Sequence, residues 1–121
     1  MKRIIVLVAA MMVIAGCASV SKDVNLSGKW DYNYGAKKKT GSMTLLQNGF
    51  SMTGIAYDAE GKFHVKGSLK GVKLTLFGIN VDNAAKTFTA NLELTSDNSF
   101  EGTYTNTLGE SGEMEGERKK R

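Results

Sequence analysis

Leu26-Ser27-Gly28-Lys29-Trp30-Asp31-Tyr32-Asn33-Tyr34 alternates without a break. Leu26, Gly28, Trp30, Tyr32 and Tyr34 share one parity, and Ser27, Lys29, Asp31 and Asn33 take the other. Successive side chains of an extended strand point to opposite faces, so this stretch reads as a strand with one apolar face and one wet face. The same period runs on to Arg118, broken by turn clusters every 8 to 15 residues.

After a lysine-rich loop, Gly35 to Gly41, Met43 and Leu45 begin the inner face of a second strand, and Asn48-Gly49 signals a tight hairpin. Phe50 to Tyr57 follows, with Phe50, Met52, Gly54 and Ala56 inward. Asp58 to Gly61 turns the chain into Lys62 to Leu69, where Phe63, Val65 and Leu69 alternate with His64, Lys66 and Ser68. Lys70-Gly71 is the next tight turn, and Val72, Leu74 and Leu76 form the following inner face. Beyond the loop Asn80 to Ala85 lie strands at Lys86 to Thr95, Phe100 to Asn106 and Glu113 to Lys119.

Eight short strands with short connections pair most simply in sequence order, antiparallel. Eight also suffice for a sheet to close, which removes both exposed edges. The expected fold is therefore all-β, a single eight-stranded antiparallel up-and-down barrel, with a two-sheet β-sandwich as the alternative. The chain has 14 glycines and no proline, a balance that suits ladders joined by tight turns. An apolar-x-Gly repeat places Gly28, Gly54, Gly67, Gly102 and Gly116 inward. Inward glycines let a small barrel coil sharply and make room for large side chains opposite; opening a ligand cavity is their alternative use.

Ahead of the barrel, Met1-Lys2-Arg3 is basic, Ile4 to Ala15 is apolar and uncharged, and Ile14-Ala15-Gly16 leads into the only cysteine, Cys17. The apolar run is about twelve residues, short of the roughly 20 that cross a bilayer as a helix and right for a signal-peptide core. This order resembles the signal peptide and lipobox of bacterial lipoproteins. The resemblance implies cleavage after Gly16, diacylation of the Cys17 thiol, and attachment by two or three acyl chains, which is effectively permanent where one chain is not. Ala18 in the following position implies sorting to the outer membrane, facing the periplasm. Residues 1–16 are then the cleaved signal, 17–25 the acylated cysteine and a short tether, and 26–121 the barrel domain.

Removal of residues 1–16 leaves 105, enough for one core and too few for two. The formal charge falls from +4 to +2 as Lys2 and Arg3 are lost. No nucleic-acid partner is expected from so modest a balance in an exported chain. With Cys17 acylated, no thiol remains for a disulfide, a metal or nucleophilic attack.

Gly28-Lys29-Trp30 near the start and Arg118 at the end resemble the structural signature of the calycins, the superfamily of lipocalins, fatty-acid-binding proteins and avidins. The resemblance implies that Trp30 closes the barrel base with Arg118 packed across its ring. A guanidinium over an indole gains a cation–π contact while its donors reach nearby carbonyls. The chain lacks the added loop and helix segments of most lipocalins, so no deep lipid-sized cavity is implied.

Nothing in the pattern assembles a reaction centre. His64 is the sole histidine and lies on the wet face, and Glu113, Glu115 and Glu117 form an outward row. The expectation is a protein that is not an enzyme, with no cofactor and no metal. Lys37, Lys38 and Lys39 in the first loop are a surface that could contact lipid phosphates, peptidoglycan carboxylates or an acidic protein.

Two functional readings remain. A calycin-like module would hold a small apolar molecule inside the barrel. A compact interaction module, structural or inhibitory, would instead have a filled core and meet an envelope protein through loops and outer faces. The expected interior holds Trp30, Tyr32, Tyr34, Phe50, Phe63, Phe88, Phe100 and Tyr104. An interior cavity above about 300 Å³ would favour the first reading and a filled core the second.

Overall fold

The computed structural model describes residues 20–119. The strands are β1 (Gly28–Tyr34), β2 (Lys39–Asn48), β3 (Ser51–Asp58), β4 (Gly61–Lys70), β5 (Lys73–Asn80), β6 (Thr87–Ser96), β7 (Ser99–Asn106) and β8 (Ser111–Arg118). Each pairs antiparallel with the next, and β8 pairs with β1, so the sheet is a closed barrel in sequence order. The seam sets Trp30 opposite Arg118, Tyr32 opposite Gly116 and Tyr34 opposite Met114. That pairing rules out the two-sheet sandwich.

Alternation decides which side chains fill the barrel. Trp30, Met43, Leu45, Met52, Ala56, Leu74, Leu76, Ala90 and Phe100 are at most 2% exposed, while the opposite parity faces solvent. Each large apolar side chain buried this way contributes about 1.5–3 kcal/mol of transfer free energy. The inward glycines let neighbouring backbone approach. A Cβ on Gly54, Gly67 or Gly102 would overlap the carbonyl oxygen of Thr44, Thr75 or Asn91, and on Gly116 it would overlap the Phe100 ring. These glycines tighten and fill the barrel rather than hollowing it.

Two hairpins are displaced by one residue from their expected positions. Asn48 pairs with Ser51 and Lys70 with Lys73, so the turn residues are Gly49-Phe50 and Gly71-Val72. Gly49 and Gly71 have φ near +60°, whereas neither Phe50 nor Val72 has a positive φ. A two-residue turn with positive φ only at its first position is type II′, which places glycine first; the Asn-Gly signal had implied type I′. Phe50, expected inside, is therefore 77% exposed, and Val72 stands at a turn tip at 36%.

Antiparallel order sends alternate turns to opposite ends. The β2–β3, β4–β5 and β6–β7 turns lie with the start of β1 and the end of β8, at what we term the base. The other four turns rim the mouth. Val20 to Asn25, expected as part of a short tether, lie across the base instead. Val20 and Val24 pack on the core and Leu26 is fully buried. The backbone N–H and hydroxyl of Ser21 both donate to the Asp97 carboxylate, at 2.6 and 2.5 Å. Gln47 holds the same segment by accepting from the Leu26 N–H and donating to the Val24 carbonyl.

Candidate functional site

The three residues expected to close the barrel meet at the base. The Arg118 guanidinium carbon is 4.8 Å from the centre of the Trp30 ring. Its nitrogens donate to the carbonyls of Ser27, Asn25 and Asp97 and to the Asn98 side chain, at 2.8 to 3.0 Å. The Trp30 indole N–H donates to the Leu26 carbonyl at 2.9 Å, and its ring stacks on Phe100 at 5.2 Å. Gly28 has φ +133°, where a side chain is strained, and its missing Cβ would sit 3.5 Å from an Arg118 nitrogen. This assembly plugs the base and offers no entry.

The mouth is different. Tyr32 and Tyr34 from β1, Phe63 from β4, Phe88 from β6, Tyr104 from β7 and Met114 from β8 surround a recess rimmed by Asp58, Glu60, Lys86 and Leu108. Tyr34 meets Tyr104 edge to face at 5.3 Å, and Phe63 meets Phe88 likewise at 5.2 Å. The free room is about 30 Å³, the scale of one water molecule or a few atoms of a side chain. It falls far short of the roughly 300 Å³ that an apolar small-molecule cavity starts from. The barrel core is filled.

Most charged groups of the recess are held in place, whereas one fully buried hydroxyl is not. The Tyr32 hydroxyl donates to Asp58 at 2.7 Å, and the other Asp58 oxygen accepts the Glu60 backbone N–H at 2.7 Å. Burial, reinforced by that carboxylate, pushes the Tyr32 phenol well above its ordinary range. Lys86 donates to the Glu60 carbonyl at 2.9 Å and pairs with its carboxylate at 3.3 Å, while Lys39 reaches the other oxygen at 3.4 Å. Lys86 and then Lys39 hold the Glu60 carboxyl below its usual range, partly offset by desolvation. Tyr34 is only 6% exposed, yet among the described residues its hydroxyl has no hydrogen-bond partner. Burial, with Asp58 adding to it, also raises the Tyr34 phenol, so this hydroxyl is neutral and able both to donate and to accept.

The lysine run is dispersed across the rim. Lys39 is the first residue of β2 and faces Glu60, Lys38 lies 3.4 Å from Glu115 on the outer wall, and Lys37 is exposed in the turn. Two of the three charges are thus matched locally, because the loop is shorter than expected and its end is drawn into the ladder. His64 is exposed on the outer wall between Ile55 and Ile79. Cys17 lies outside the described residues. The recess itself went unrecognised in the sequence. Its one available signal was three inward tyrosines, since an inward phenol must find a partner for its hydroxyl.

No protein-family model matches the chain, and no curated protein matches it. Among solved structures it is similar to a redesigned β-barrel, b11L5F_LGL, with a TM-score of 0.63 at 14% identity, over 79% of this chain and 92% of that one. It is similar also to a de novo designed fluorescence-activating β-barrel, at TM-score 0.58, 14% identity and 78% and 94% coverage. A third barrel, mFAP1, solved bound to DFHBI, gives 0.58 at 13% identity, with the same coverage. At such identities the likeness is one of fold. A closed eight-stranded antiparallel barrel fits a calycin-like architecture.

Proposed function

We propose that this protein is a lipid-anchored lipoprotein of the bacterial cell envelope, held through acylated Cys17 on the periplasmic face of the outer membrane. Its barrel serves as a binding module without a reaction of its own. The recess at the mouth receives one protruding side chain of an envelope protein. The observation that carries this reading is the buried Tyr34 hydroxyl, which has no partner among the described residues, at the edge of a recess too small for a free lipid. An unsatisfied buried hydroxyl costs about 1–3 kcal/mol, which an incoming polar group would relieve. The aromatic walls would hold the apolar part of the same side chain.

A second reading, a small planar ligand, is favoured by the likeness to mFAP1, which was solved with DFHBI. Its probe must sit at the mouth, because Trp30 is fully buried at the opposite end.

The test places a photo-crosslinking benzoylphenylalanine at Leu108 on the rim and, separately, at Thr75 on the outer wall. Envelope protein captured from Leu108 and not from Thr75 supports the proposal. Equal capture from both positions, or none, removes the protein partner. Ring-proton shifts of Tyr34 and Tyr104 on adding small aromatic compounds would then support the second reading.

A further inference from the structure

We infer that the base of the barrel is a docking surface for an anionic phospholipid bilayer, with Phe50 entering the headgroup region and Lys70, Lys73 and Lys119 meeting lipid phosphates. The inference rests on the lipid anchor proposed above and adds an orientation to it: base toward the membrane, mouth away from it.

Three observations converge on that end. Val20 is fixed at the base, and Cys17 precedes it by three residues in sequence. Three residues reach at most about 11 Å, so acyl chains on Cys17 would hold the base against the bilayer surface. The turn tips at this end carry apolar side chains where polar ones are usual, with Phe50 77% exposed and Val72 36%. These tips are braced against neighbouring strands, for the Leu69 N–H donates to the Phe50 carbonyl at 2.9 Å and the Leu94 N–H to the Val72 carbonyl at 2.8 Å.

Asp97 and Arg118 at this end are held by internal hydrogen bonds, but three lysines there have no ion pair among the described residues. Lys70 and Lys73 stand directly opposite each other across the Gly71-Val72 turn, an arrangement that repels. Lys73 also faces Glu93 in register, yet among the described residues neither lysine, nor Lys119, has a carboxylate within ion-pair distance; the three ion pairs present all lie elsewhere. Within about one Debye length of an anionic surface these ammonium groups are attracted to it. An exposed aromatic ring flanked by lysines is the composition of an interfacial anchor.

The experiment uses the full chain, isolated from membranes and reconstituted into vesicles of phosphatidylglycerol and phosphatidylcholine. A bimane fluorophore is attached at Phe50→Cys or, as the reference, at Leu108→Cys, and quenched by lipids with nitroxide headgroups. Mass spectrometry reads the acylation of Cys17 in the same samples. The expected result is quenching at position 50 at least fivefold stronger than at 108, falling to the reference level when Lys70→Glu and Lys73→Glu are added. Both positions are exposed, so the fold tolerates the changes, and circular dichroism checks it. Acylated Cys17 with equal quenching at 50 and 108 overturns the docking and leaves the anchor standing. Unacylated Cys17 with strong quenching at 50 removes the anchor and retains the surface. Absence of both removes both.

Discussion

Arg118 lies across the face of Trp30 at 4.8 Å and spends its remaining donors on the carbonyls of Asn25, Ser27 and Asp97 and on the Asn98 side chain. One side chain thus joins β8, the segment leading into β1 and the β6–β7 turn. Replacing it with methionine would keep some packing and leave three carbonyls and an indole face without their cation. The expected loss is about 2–4 kcal/mol, combining a partly desolvated cation–π contact with charge-assisted hydrogen bonds. Urea unfolding of Arg118→Met measures it, and Arg118→Lys should restore less than half, since an ammonium cannot reproduce the fork.

Tyr34 offers a change of opposite sign. Tyr34→Phe deletes a buried hydroxyl that has no partner among the described residues, so the unoccupied protein should gain about 1 kcal/mol. Thermal unfolding reads the gain, and capture of a partner through Leu108 should weaken in the same variant. A stability loss would mean that the hydroxyl is already satisfied.

On the outer wall, Glu101 faces Glu115 on one side and Glu93 on the other. Like charges in directly opposed positions repel, and a lysine between them should gain about 0.2–1 kcal/mol. Glu101→Lys should therefore raise the urea midpoint, and the advantage should shrink in high salt. A salt-independent gain would point to packing instead.

At Gly67 an added methyl group meets the Thr75 carbonyl of the neighbouring strand. The backbones must separate, so Gly67→Ala should lose about 1–3 kcal/mol. Gly49, whose missing Cβ faces open space, is the companion. Gly49→Ala should act only through its positive φ, at a cost of about 1–3 kcal/mol without separation of the strands.

Acid should unlatch the segment at the base. Both Ser21 donors favour the ionised Asp97, which lowers its carboxyl below the ordinary value of 3.8, with Arg118 adding a smaller pull and desolvation opposing. A carboxyl lowered on folding contributes fully above its unfolded value and loses that contribution as pH falls through the folded one. The Ser21 contacts should therefore be constant from about pH 7 to about 5 and weaken only below about 3.8. Nitrogen-15 relaxation of Ser21 and Val24 across this range tests the window, with Asp97→Asn expected to loosen both residues at every pH.

Much of the barrel is legible in the sequence, because burial on one face imposes a period of two and eight such strands close. The same parity put Trp30 and Arg118 on inward faces. Phe50 and Val72 escaped because parity continues into a turn although the strand does not, and choosing between type I′ and II′ hairpins depends on one φ angle. The recess was hidden for another reason. Tyr34, Phe63, Phe88, Tyr104 and Met114 come from five strands, and only the register brings them to one depth. The lysine run was legible as charge but not as position, since its match to Glu60 and Glu115 depends on where β2 begins.

The closing seam has a kinetic consequence. Seven of the eight strand pairings join neighbours in the chain and require only short loops, whereas β1 with β8 joins residues 80 to 88 positions apart. Loop-closure entropy therefore falls mainly on this one pairing. Until β8 arrives, β1 and β7 are open edges able to accept a strand from another molecule. Arg118 and Trp30 belong to that final seal, so their variants should accelerate unfolding more than they slow folding. They should also be the variants most prone to exchange strands between copies.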